Sequence, residues 1–406
     1  MYRFNTLVAA LLALLVSSWA LGQDHYFPER RNWLEREPGE LGMNPALLQE
    51  AIDFAVTRES PANKNLALDH ELSRFGREPY SRLIGPTTLR APLNVVVVKN
   101  GYIVAEHGET KKVDMTFSVT KTFLSTTIGL AWDRGLIADV HDLASDYDPT
   151  QELFASEHND AITWDHLLRQ TSDWEGTLWG KPDWADRPVG ESPQDYPNRP
   201  TYEPGTHYKY NDVRVNLLAL LATHVWRRPL PVVLRDNVMD PIGATNTWRW
   251  HGYENSWVMI DGQNVQSVSG GGHWGGGMHI SARDLARFGY LFLRNGEWDK
   301  KRIISEEWIE MARTPGVNQG YGFMNWYLNE PYVPTGDEDG ERRQALPSAP
   351  ESSVRFVGAG SNIVYVDWEN DVVIVVRWIR GGLDEFIGKV LSSIEEPAPT
   401  DNGALP

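Results

Sequence analysis

The β-rich stretches of this 406-residue chain lie far apart in the sequence, and this separation constrains the fold more than any other feature. Leu93–Val98 is strongly β-branched, Asn100-Gly101 has the composition of a hairpin turn, and Tyr102–Glu106 is predicted to be the returning strand. Phe356–Val366 and Val372–Trp378 predict two further strands near the other end. Helical segments and long loops lie between them. We therefore expect an α/β fold in which both ends of the chain build one mostly antiparallel sheet, flanked by helices, with an all-helical lobe inserted in the middle.

This pattern also predicts how the chain is divided. Residues 23–395 form the predicted folded domain, with an α/β lobe made of 23–135 and 310–395 and a helical lobe made of 136–309. Gly322–Leu328 is predicted to be a further strand of the α/β lobe.

Both ends of the chain have compositions that are not those of a folded domain. Arg3, the apolar run Leu7–Val16 and the small-residue site Ala20-Leu21-Gly22 predict a secretory signal peptide over residues 1–22, and hence a secreted or periplasmic protein. An uncleaved anchor is the alternative. No second apolar run of membrane-spanning length follows, so no stable membrane insertion is expected. Residues 396–406 are predicted to be a flexible tail.

Charge and cysteine content exclude several classes of function. The net charge of −17 disfavours nucleic acids and anionic membrane surfaces as partners; it leaves a small-molecule substrate open without identifying it. The chain has no cysteine, which rules out disulfides, thiolate metal ligands and a cysteine nucleophile. Its 11 histidines show no metal-binding spacing, so no metal site is expected. The composition leaves the oligomeric state open.

Ser118 and Lys121 are the first candidates for chemistry, because they lie three positions apart just before the apolar run Thr122–Trp132. If that run is helical, both side chains project from one face, one turn apart. A serine hydroxyl needs an adjacent base to act as a nucleophile, and a lysine can be that base when burial lowers its pKa. The pair predicts acyl transfer by a serine enzyme, although Ser-x-x-Lys also recurs by chance in chains of this length.

Tyr210 is the candidate for a second proton carrier. It follows the turn Glu203–Thr206 and begins a predicted helix that continues to Thr223. A phenol near a lysine ammonium is expected to have a lowered pKa and to relay a proton to the leaving group. The alternative is a core tyrosine whose hydroxyl has one structural partner.

An oxyanion hole is expected where Gly358 interrupts a predicted strand. A glycine in a strand permits close approach of substrate and backbone. The amides of Ser118 and Ala359 could then converge on one carbonyl oxygen. A β-bulge or a packing glycine is the alternative.

Together and in this order, these segments resemble the penicillin-recognising serine hydrolase superfamily, which includes class C β-lactamases, D,D-peptidases, several esterases and the 6-aminohexanoate-dimer hydrolases. The resemblance runs from Leu93 to Val376 and so covers most of the chain. It rests first on residues 117–123, Phe-Ser-Val-Thr-Lys-Thr-Phe, which are similar to the nucleophile motif of the family. The segment Tyr210-Asn211-Asp212 is similar to the family's Tyr-x-Asn motif. Three further segments match in the same order: the helices 162–172 and 276–287 and the strand 357–366.

The resemblance implies a role for each residue of the expected site. Ser118 would be acylated, Lys121 would be the base and Tyr210 would carry the proton to the leaving group. The oxyanion hole would consist of the amides of Ser118 and Ala359. No metal or organic cofactor is implied.

Two positions depart from the family pattern. Asp212 stands where the family has an asparagine that binds a substrate amide, and a carboxylate accepts hydrogen bonds without donating them. Phe356 stands where β-lactamases carry a lysine or histidine that meets the substrate carboxylate. Both residues, with Gly358, are expected to line the substrate site. Phe356 favours an uncharged ester or amide substrate, although Arg355 or Arg343 could restore a cation.

The irregular segment 172–205 is long, and long ordered loops are often functional. Its tryptophans Trp174, Trp179 and Trp184 are expected to line an apolar acyl pocket, with simple packing as the alternative. His273 is expected to border the cleft without a catalytic role.

The sequence therefore predicts a secreted serine hydrolase that cleaves an ester or amide bond through an acyl-serine intermediate, with an activity like that of the esterases or 6-aminohexanoate-oligomer hydrolases. One alternative is a β-lactamase or D,D-peptidase that acts on peptidoglycan-type substrates. Another is a non-catalytic binding protein with the same fold. The sequence leaves the natural substrate and its stereochemistry open.

Overall fold

The computed structural model of the chain describes residues 25–334 and 340–395. The predicted signal peptide, residues 1–22, and the predicted tail, residues 396–406, lie outside the described residues. The strands are β1 (Asn94–Lys99), β2 (Tyr102–His107), β3 (Asp114–Met115), β4 (Thr177–Leu178), β5 (Lys181–Pro182), β6 (Arg249–Ile260), β7 (Gln263–Val268), β8 (Gly277–Ile280), β9 (Glu297–Trp298), β10 (Lys301–Arg302), β11 (Tyr327–Leu328), β12 (Val354–Gly358), β13 (Asn362–Asp367) and β14 (Val372–Arg377). The α-helices are α1 (Pro45–Thr57), α2 (Leu66–Leu72), α3 (Thr120–Asp133), α4 (Glu157–Asp160), α5 (Trp164–Leu168), α6 (Asp212–Trp226), α7 (Leu230–Leu234), α8 (Ala282–Leu293), α9 (Glu306–Arg313) and α10 (Leu383–Ser392).

The central sheet has six strands in the order β11-β12-β13-β14-β1-β2, and every neighbouring pair is antiparallel. Strand β14 pairs with β1 in the register Val376↔Val95, which joins the C-terminal strands to the N-terminal hairpin. The predicted α/β class, with an antiparallel sheet built from both ends of the chain and flanked by helices, is confirmed.

The sheet is buried on both faces. In β1, Val95 and Val97 belong to the core cluster that contains residues of α1 and α10, whereas Val96 and Val98 belong to the cluster that contains residues of α8. Successive strand residues point to opposite faces, so a strand covered on both sides must be apolar at every position. This requirement accounts for the uninterrupted valine run.

The hairpin turn predicted at Asn100-Gly101 is confirmed by backbone geometry, and α1 begins at a clear sequence signal. The side chain of Asn44 accepts hydrogen bonds from two amides in the first turn of α1, as expected of a helix cap followed by proline. Asn100 and Gly101 have φ values of 51° and 87°, which are the left-handed conformations of a tight hairpin turn between β1 and β2.

Two strand predictions are wrong in extent. The predicted strand Phe356–Val366 is two antiparallel strands, β12 and β13, because the chain reverses at Gly360 and Ser361 with φ values of 75° and 57°. Of the predicted strand Gly322–Leu328, only β11 is extended, since the amide of Gly322 donates to the carbonyl of Trp326 and closes a turn.

The prediction that the inserted lobe is all-helical requires a correction. Besides α6 and the shorter helices, this part of the chain contains β6, β7 and β8, which form a second antiparallel sheet with β3 in the order β3-β8-β6-β7. The turn between β6 and β7 is Asp261-Gly262, with φ values of 51° and 76°. This part of the chain also contains α7, which is followed by a π-helical segment, Arg235–Met239.

In residues 25–334 and 340–395 no single helix combines the length and hydropathy needed to cross a membrane. Helix α6 and the adjoining stretch Leu230–Met239 meet both conditions only when they are taken together, and they are bent by 70°.

Candidate active site

Ser118 lies in a short 3-10 turn, Phe117–Val119, directly before α3. Strand β8 fixes this turn on both sides, since the Thr116 amide donates to the Met278 carbonyl and the Thr120 hydroxyl accepts from the Met278 amide, each at 2.9 Å. Phe117 has a positive φ of 49°, so the chain bends just before Ser118. The half-buried Ser118 side chain thereby lines a cavity instead of packing into the core.

Lys121 is fully buried in the first turn of α3, and its ammonium contacts the serine. Lys121 Nζ donates to Ser118 Oγ at 2.9 Å and to Asp212 Oδ1 at 2.6 Å. Asp212 is the first residue of α6, more than 90 positions further along the chain. The structure therefore brings the predicted serine, lysine and aspartate together at the meeting point of two helices.

Arg187 completes this charged group from the long loop. Its Nη1 donates to Asp212 Oδ2 at 3.1 Å and also pairs with Asp186. Asp186 in turn accepts a hydrogen bond from the Asp212 amide. Each oxygen of Asp212 thus faces one cation, Lys121 on one side and Arg187 on the other.

These contacts shift the protonation equilibria of the buried groups. Burial lowers the pKa of Lys121, and the adjacent Asp212 carboxylate opposes this effect while Arg187 adds to it. Burial alone would raise the pKa of Asp212, but the cations Lys121 and Arg187 hold that pKa well below its usual range. Asp212 is therefore ionised at neutral pH, and the proton on Lys121 is more easily lost than that of an exposed lysine.

Tyr210 lies over the same group of charges. Lys121 Nζ is 4.6 Å from the centroid of its ring, and the guanidinium of Arg187 is 4.7 Å from it. Burial raises the pKa of Tyr210 well above its usual value, while Arg187 and a hydrogen bond with Ser118 act in the opposite direction. The expectation of a lowered pKa is wrong, because desolvation outweighs the neighbouring cations. Tyr210 is thus a neutral phenol, a proton donor.

A glycine lets the backbone pass beside the ion pair. A Cβ atom on Gly271 would lie 1.8 Å from Asp212 Oδ1 and 2.2 Å from Lys121 Nζ. No side chain fits at this position without displacing the lysine or the aspartate. The glycine-rich segment before β8 therefore has a steric function that the sequence analysis did not assign.

Ala359 lines the same cavity as Ser118. It begins the turn after β12, and Gly358 at the end of that strand packs against the serine segment, since a Cβ there would lie 2.1 Å from the Thr116 carbonyl oxygen. Gly358 is buried and does not line the cavity. The predicted close approach is present, but it is between two backbone segments and not between backbone and substrate.

The Ser118 cavity has a volume of about 170 Å³. Its apolar walls are Ala62, Leu66, Phe75, Phe117 and Trp378; its polar lining includes Ser118, Asp212, Arg187, His273, Asp69 and His70. Larger depressions, of about 470 and 970 Å³, lie elsewhere on the surface and contain neither Ser118 nor Lys121.

Besides Gly358, three residues expected in the substrate site lie elsewhere. Phe356 is fully buried in the core, with its ring 5.0 Å from that of Trp326, because the even positions of β12 face inward. Trp179 lines neither the Ser118 cavity nor the one beside it. Trp184 lines the neighbouring cavity and packs edge-on against Tyr80 at 5.5 Å. These positions correct the predicted substrate contacts.

Other cations that the sequence left open do not reach the cavity. Arg355 lies over the ring of Tyr327 at 5.8 Å, and Arg343 pairs through its backbone with Tyr332. The guanidinium that lines the cavity is that of Arg187, whose position in an irregular loop carries no sequence signal.

Glu78, Asp186 and His273 offer ligand atoms within 4.8 Å of one another, a spacing at which three side chains can hold a metal ion. His273 Nε2 already contacts Glu78 at 2.8 Å, and Asp186 is paired with Arg187. A guanidinium on the same carboxylate repels a cation, and the three groups satisfy one another. The chemistry of this cluster is that of an ion-pair network.

Comparison with known proteins places the chain among hydrolases. A sequence profile of the β-lactamase family matches residues 92–383. The structure is similar to that of EstCE1, a hydrolase with promiscuous acyltransferase activity, with a TM-score of 0.54 and 14% identity over 86% of this chain and 99% of that one. It is also similar to a β-lactamase from Mycobacterium bovis (TM-score 0.50, 17% identity, 80% of this chain, 99% of that one) and to a candidate 6-aminohexanoate-dimer hydrolase from Bacillus anthracis (TM-score 0.50, 18% identity, 74% of this chain, 78% of that one). At sequence identities of 14 to 18%, these similarities show a shared fold only. No curated protein matches the sequence.

Part of the cavity wall is formed by residues that precede the region matched by the family profile. Residues 62–75, which supply Leu66, Asp69, His70 and Phe75, precede residue 92. The reactive groups and one side of the cavity therefore come from different parts of the chain.

Proposed function

Because the chain belongs to the β-lactamase family of serine hydrolases, we propose that it hydrolyses a carboxylic ester or amide through an acyl intermediate on Ser118. The observation that carries this proposal is the fully buried Lys121 amine, 2.9 Å from Ser118 Oγ. A buried amine with a lowered pKa is a base that a serine hydroxyl can use, whereas a solvated lysine is not.

In the proposed acylation step, the neutral amine of Lys121 accepts the Ser118 proton while Oγ attacks the substrate carbonyl carbon. The carbonyl oxygen becomes an oxyanion, which the amides of Ser118 and Ala359 stabilise. Asp212 stabilises the ammonium that forms on Lys121. Tyr210 donates its phenolic proton to the leaving group and recovers a proton from Lys121, so the net transfer is from serine to leaving group.

In the proposed second step, water attacks the acyl carbonyl. Lys121 accepts a proton from that water. Lys121 then gives this proton to Ser118 Oγ as the ester bond between the acyl group and the enzyme breaks. The carboxylic acid is released, and both Lys121 and Tyr210 return to their starting protonation states.

The shape of the cavity supports a small, uncharged acyl group. A volume of about 170 Å³ is small, and the walls are mainly apolar. The position that a cationic residue holds in β-lactamases is taken by the core residue Phe356. An activity like that of esterases or 6-aminohexanoate-oligomer hydrolases fits these features better than the hydrolysis of anionic β-lactams.

Turnover of two reporter substrates tests this choice. We expect hydrolysis of p-nitrophenyl butyrate and little or no hydrolysis of nitrocefin. The rival function, a β-lactamase or D,D-peptidase acting on peptidoglycan-type substrates, is supported by the fold likeness to the Mycobacterium bovis β-lactamase. Rapid nitrocefin turnover without ester turnover would establish that rival.

Covalent labelling tests the roles of Ser118 and Lys121. A fluorophosphonate probe is expected to add to Ser118, as located by peptide mass spectrometry. Lys121→Ala should abolish labelling at neutral pH, whereas Lys99→Ala, which truncates a partly buried lysine far from the cavity, should leave it intact. A Lys121→Ala protein that is labelled at the wild-type rate excludes this lysine as the base. Absence of labelling in the wild type would favour a non-catalytic binding protein.

Export of the protein is part of the proposal. Residues 1–22 have the composition of a signal peptide, so expression in a Gram-negative host should give a periplasmic protein that begins at Gln23. The intact mass of the purified protein measures this, and a mass that includes residues 1–22 contradicts cleavage.

A further inference from the structure

A cavity of about 470 Å³ lies between α7, the π-helical segment Arg235–Met239 and the first residues of β6, and it shares no lining residue with the Ser118 cavity. We refer to it as the Arg249 cavity, after the first residue of β6, which lines it. We propose that the Arg249 cavity binds a phosphate monoester, with the phosphate group at the arginines and the carbon group against Trp248 and Pro231. This inference is independent of the reaction proposed at Ser118.

The arginines of the cavity outnumber the carboxylates that neutralise them. Arg30 pairs with Asp240 at 2.6 Å, so these two charges cancel. Arg235 pairs with Asp236 at 2.9 Å, but the same carboxylate also faces Arg228 at 2.9 Å. The lining and its ion-pair partners comprise four arginines and two aspartates: Arg30, Arg228, Arg235 and Arg249 against Asp236 and Asp240. This excess of two positive charges lies in a chain whose net charge is −17, and it favours an anion.

Arg249 is held in place without a carboxylate. Its Nη1 donates to the carbonyl oxygens of Asn246 and Trp248, each at 2.7 Å, so the guanidinium is fixed relative to the backbone. In the part of the chain that the structure describes, its Nε and Nη2 have no hydrogen-bond partner and the side chain forms no ion pair. A guanidinium whose orientation is set beforehand loses less entropy on binding, and its planar pair of donors matches two oxygens of one phosphate group.

Other polar groups of the lining are also unpaired. The side chain of Asn246, Trp248 Nε1 and the ring nitrogens of His251 have no hydrogen-bond partner among the described residues. Burial, with the nearby Arg249, lowers the pKa of His251. The imidazole is therefore neutral at pH 7, and it offers a hydrogen bond to a ligand without adding to the charge excess.

The size and the apolar side of the cavity indicate a ligand larger than an inorganic ion. Trp248, Trp250, Pro231 and Val232 form this apolar side. A volume of about 470 Å³ is in the range of sites that bind small organic molecules. A phosphate monoester matches both sides, because it has about two negative charges and three acceptor oxygens at one end and a carbon group at the other. A carboxylate, with a single charge, would leave half of the excess unneutralised.

Calorimetric titration of the purified protein with phenyl phosphate and with phenyl sulfate tests this inference without any need for turnover. Phenyl sulfate has a similar shape and one negative charge fewer. Phenyl phosphate should bind saturably and at least tenfold more tightly than phenyl sulfate, because its second charge meets the second excess arginine. Equal affinity for the two compounds, or no binding of phenyl phosphate, overturns the inference.

Three substitutions test the place of binding. Asn246→Asp adds a negative charge to an exposed side chain of the same size, so it should weaken phenyl phosphate binding at least tenfold and leave folding intact. Arg249→Gln should weaken it by a similar factor. Arg302→Gln is the matched control, because Arg302 is also exposed and also donates to a backbone carbonyl but lines a different cavity. Unchanged affinity in Asn246→Asp or in Arg249→Gln, or an equal loss in Arg302→Gln, places the ligand elsewhere and overturns the inference.

Labelling of Ser118 distinguishes this cavity from the Ser118 cavity. Saturating phenyl phosphate should leave the rate of fluorophosphonate labelling unchanged, whereas protection of Ser118 would place the ligand beside the serine and overturn the inference. A protein that binds phenyl phosphate but is not labelled at all refutes the hydrolase function alone.

Co-flotation with vesicles of phosphatidylcholine and phosphatidate tests a membrane lipid as the source of the phosphate. The net charge of −17 opposes approach to such a surface, so the protein should not float with the vesicles. Flotation that Arg249→Gln abolishes would make a phospholipid the ligand and overturn the assignment of a soluble ester.

Discussion

At the scale of single residues, the proposed reactivity of Ser118 depends on how two cations share one carboxylate. Asp212 accepts from Lys121 at 2.6 Å and from Arg187 at 3.1 Å. Arg187 neutralises part of the negative charge of Asp212. Asp212 therefore stabilises the Lys121 ammonium less strongly than it would without the arginine. In the proposed mechanism, an aspartate at this position is compatible with Lys121 as the base because a second cation faces the aspartate.

Arg187→Gln should raise the pKa of Lys121, because the whole charge of Asp212 then acts on the ammonium. A base with a higher pKa is deprotonated only at higher pH, so the acidic limb of the kcat/KM profile should move upward by about 1 pH unit. The measurement is the pH dependence of p-nitrophenyl butyrate hydrolysis.

The control for this substitution is Arg82→Gln, which removes an arginine that is 80% exposed and pairs with Glu254 at the surface. Its profile should match that of the wild type. An acidic limb that stays in place or moves downward in Arg187→Gln would show that Arg187 does not tune the lysine.

Gly271→Ala should inactivate the protein without unfolding it. The added methyl group would lie 1.8 Å from Asp212 Oδ1, so the Lys121–Asp212 pair must separate or shift. We expect the rate of fluorophosphonate labelling to fall by about 100-fold, because the base is displaced by roughly 1 Å. Gly39→Ala, at a site with no atom within 4 Å of the added methyl group, is the control and should label normally. Normal labelling of Gly271→Ala is the contrary outcome.

The predictability of the site differs from residue to residue. Ser118 and Lys121 are detectable because their spacing is local and α3 fixes it, and Tyr210 because it adjoins a recognisable turn. Arg187 is a single arginine in an irregular loop, and its role arises only from folding against Asp212. Gly271 is one of many glycines, and only the neighbouring backbone shows which one must lack a side chain.

At the scale of elements, the first turn of α6 positions half of the site. Asn211 caps the helix by accepting from the amides of Val213 and Arg214, and its Nδ2 donates to the Asp183 carbonyl at 2.7 Å. Tyr210 precedes this cap and Asp212 follows it. The cap therefore orients the phenol and the carboxylate relative to each other.

Asn211→Ala should lower the free energy of unfolding by about 2 kcal/mol, since it removes a helix cap and a buried hydrogen bond. It should also slow the labelling of Ser118, because both neighbours lose their anchor. Asn44→Ala, which removes the cap of α1 on the far side of the sheet, should cost about 1 kcal/mol and leave labelling unchanged. Urea unfolding and labelling kinetics measure both effects; equal labelling rates in the two variants would contradict this role of α6.

The strands show why the fold was only partly predictable. Asn100-Gly101 and Asp261-Gly262 are equivalent hairpin signals, yet only the first lies between runs that are plainly β-branched. The second lies between β6 and β7, whose mixed polar and apolar residues give no comparable strand signal. For this reason the sequence predicts an all-helical lobe where the structure contains a sheet. For Phe356, the strand was recognisable, but which face of it is buried depends on packing against Trp326 and α8.

At the scale of the whole molecule, His279 is a histidine buried away from the charged site. His279 on β8 pairs with residues of β3 and β6, and its ring lies 4.8 Å from that of His251. Burial, with the nearby His251, lowers the pKa of His279 from 6.5 to about 4. The unfolded chain therefore takes up a proton at this residue at a higher pH than the folded protein does.

Stability should consequently fall as the pH decreases through this range. Because the folded-state pKa is depressed, the contribution of His279 is complete above pH 6.5 and is lost as the pH falls toward 4. The loss from this residue is at most about 3 kcal/mol. Urea unfolding at a series of pH values measures it, and His279→Gln should flatten the dependence. An equally steep dependence in His279→Gln would assign the effect to other groups.

The wall that residues 62–75 give to the Ser118 cavity has an evolutionary consequence. This wall is one contiguous stretch near the N-terminus, and it lies wholly before the region shared with the β-lactamase family. A single recombination event could exchange it while Ser118, Lys121, Tyr210 and Asp212 remain within the shared region. Under the proposed function, a chimera carrying the corresponding stretch of another homologue would inherit the reaction from one parent and part of its choice of acyl group from the other.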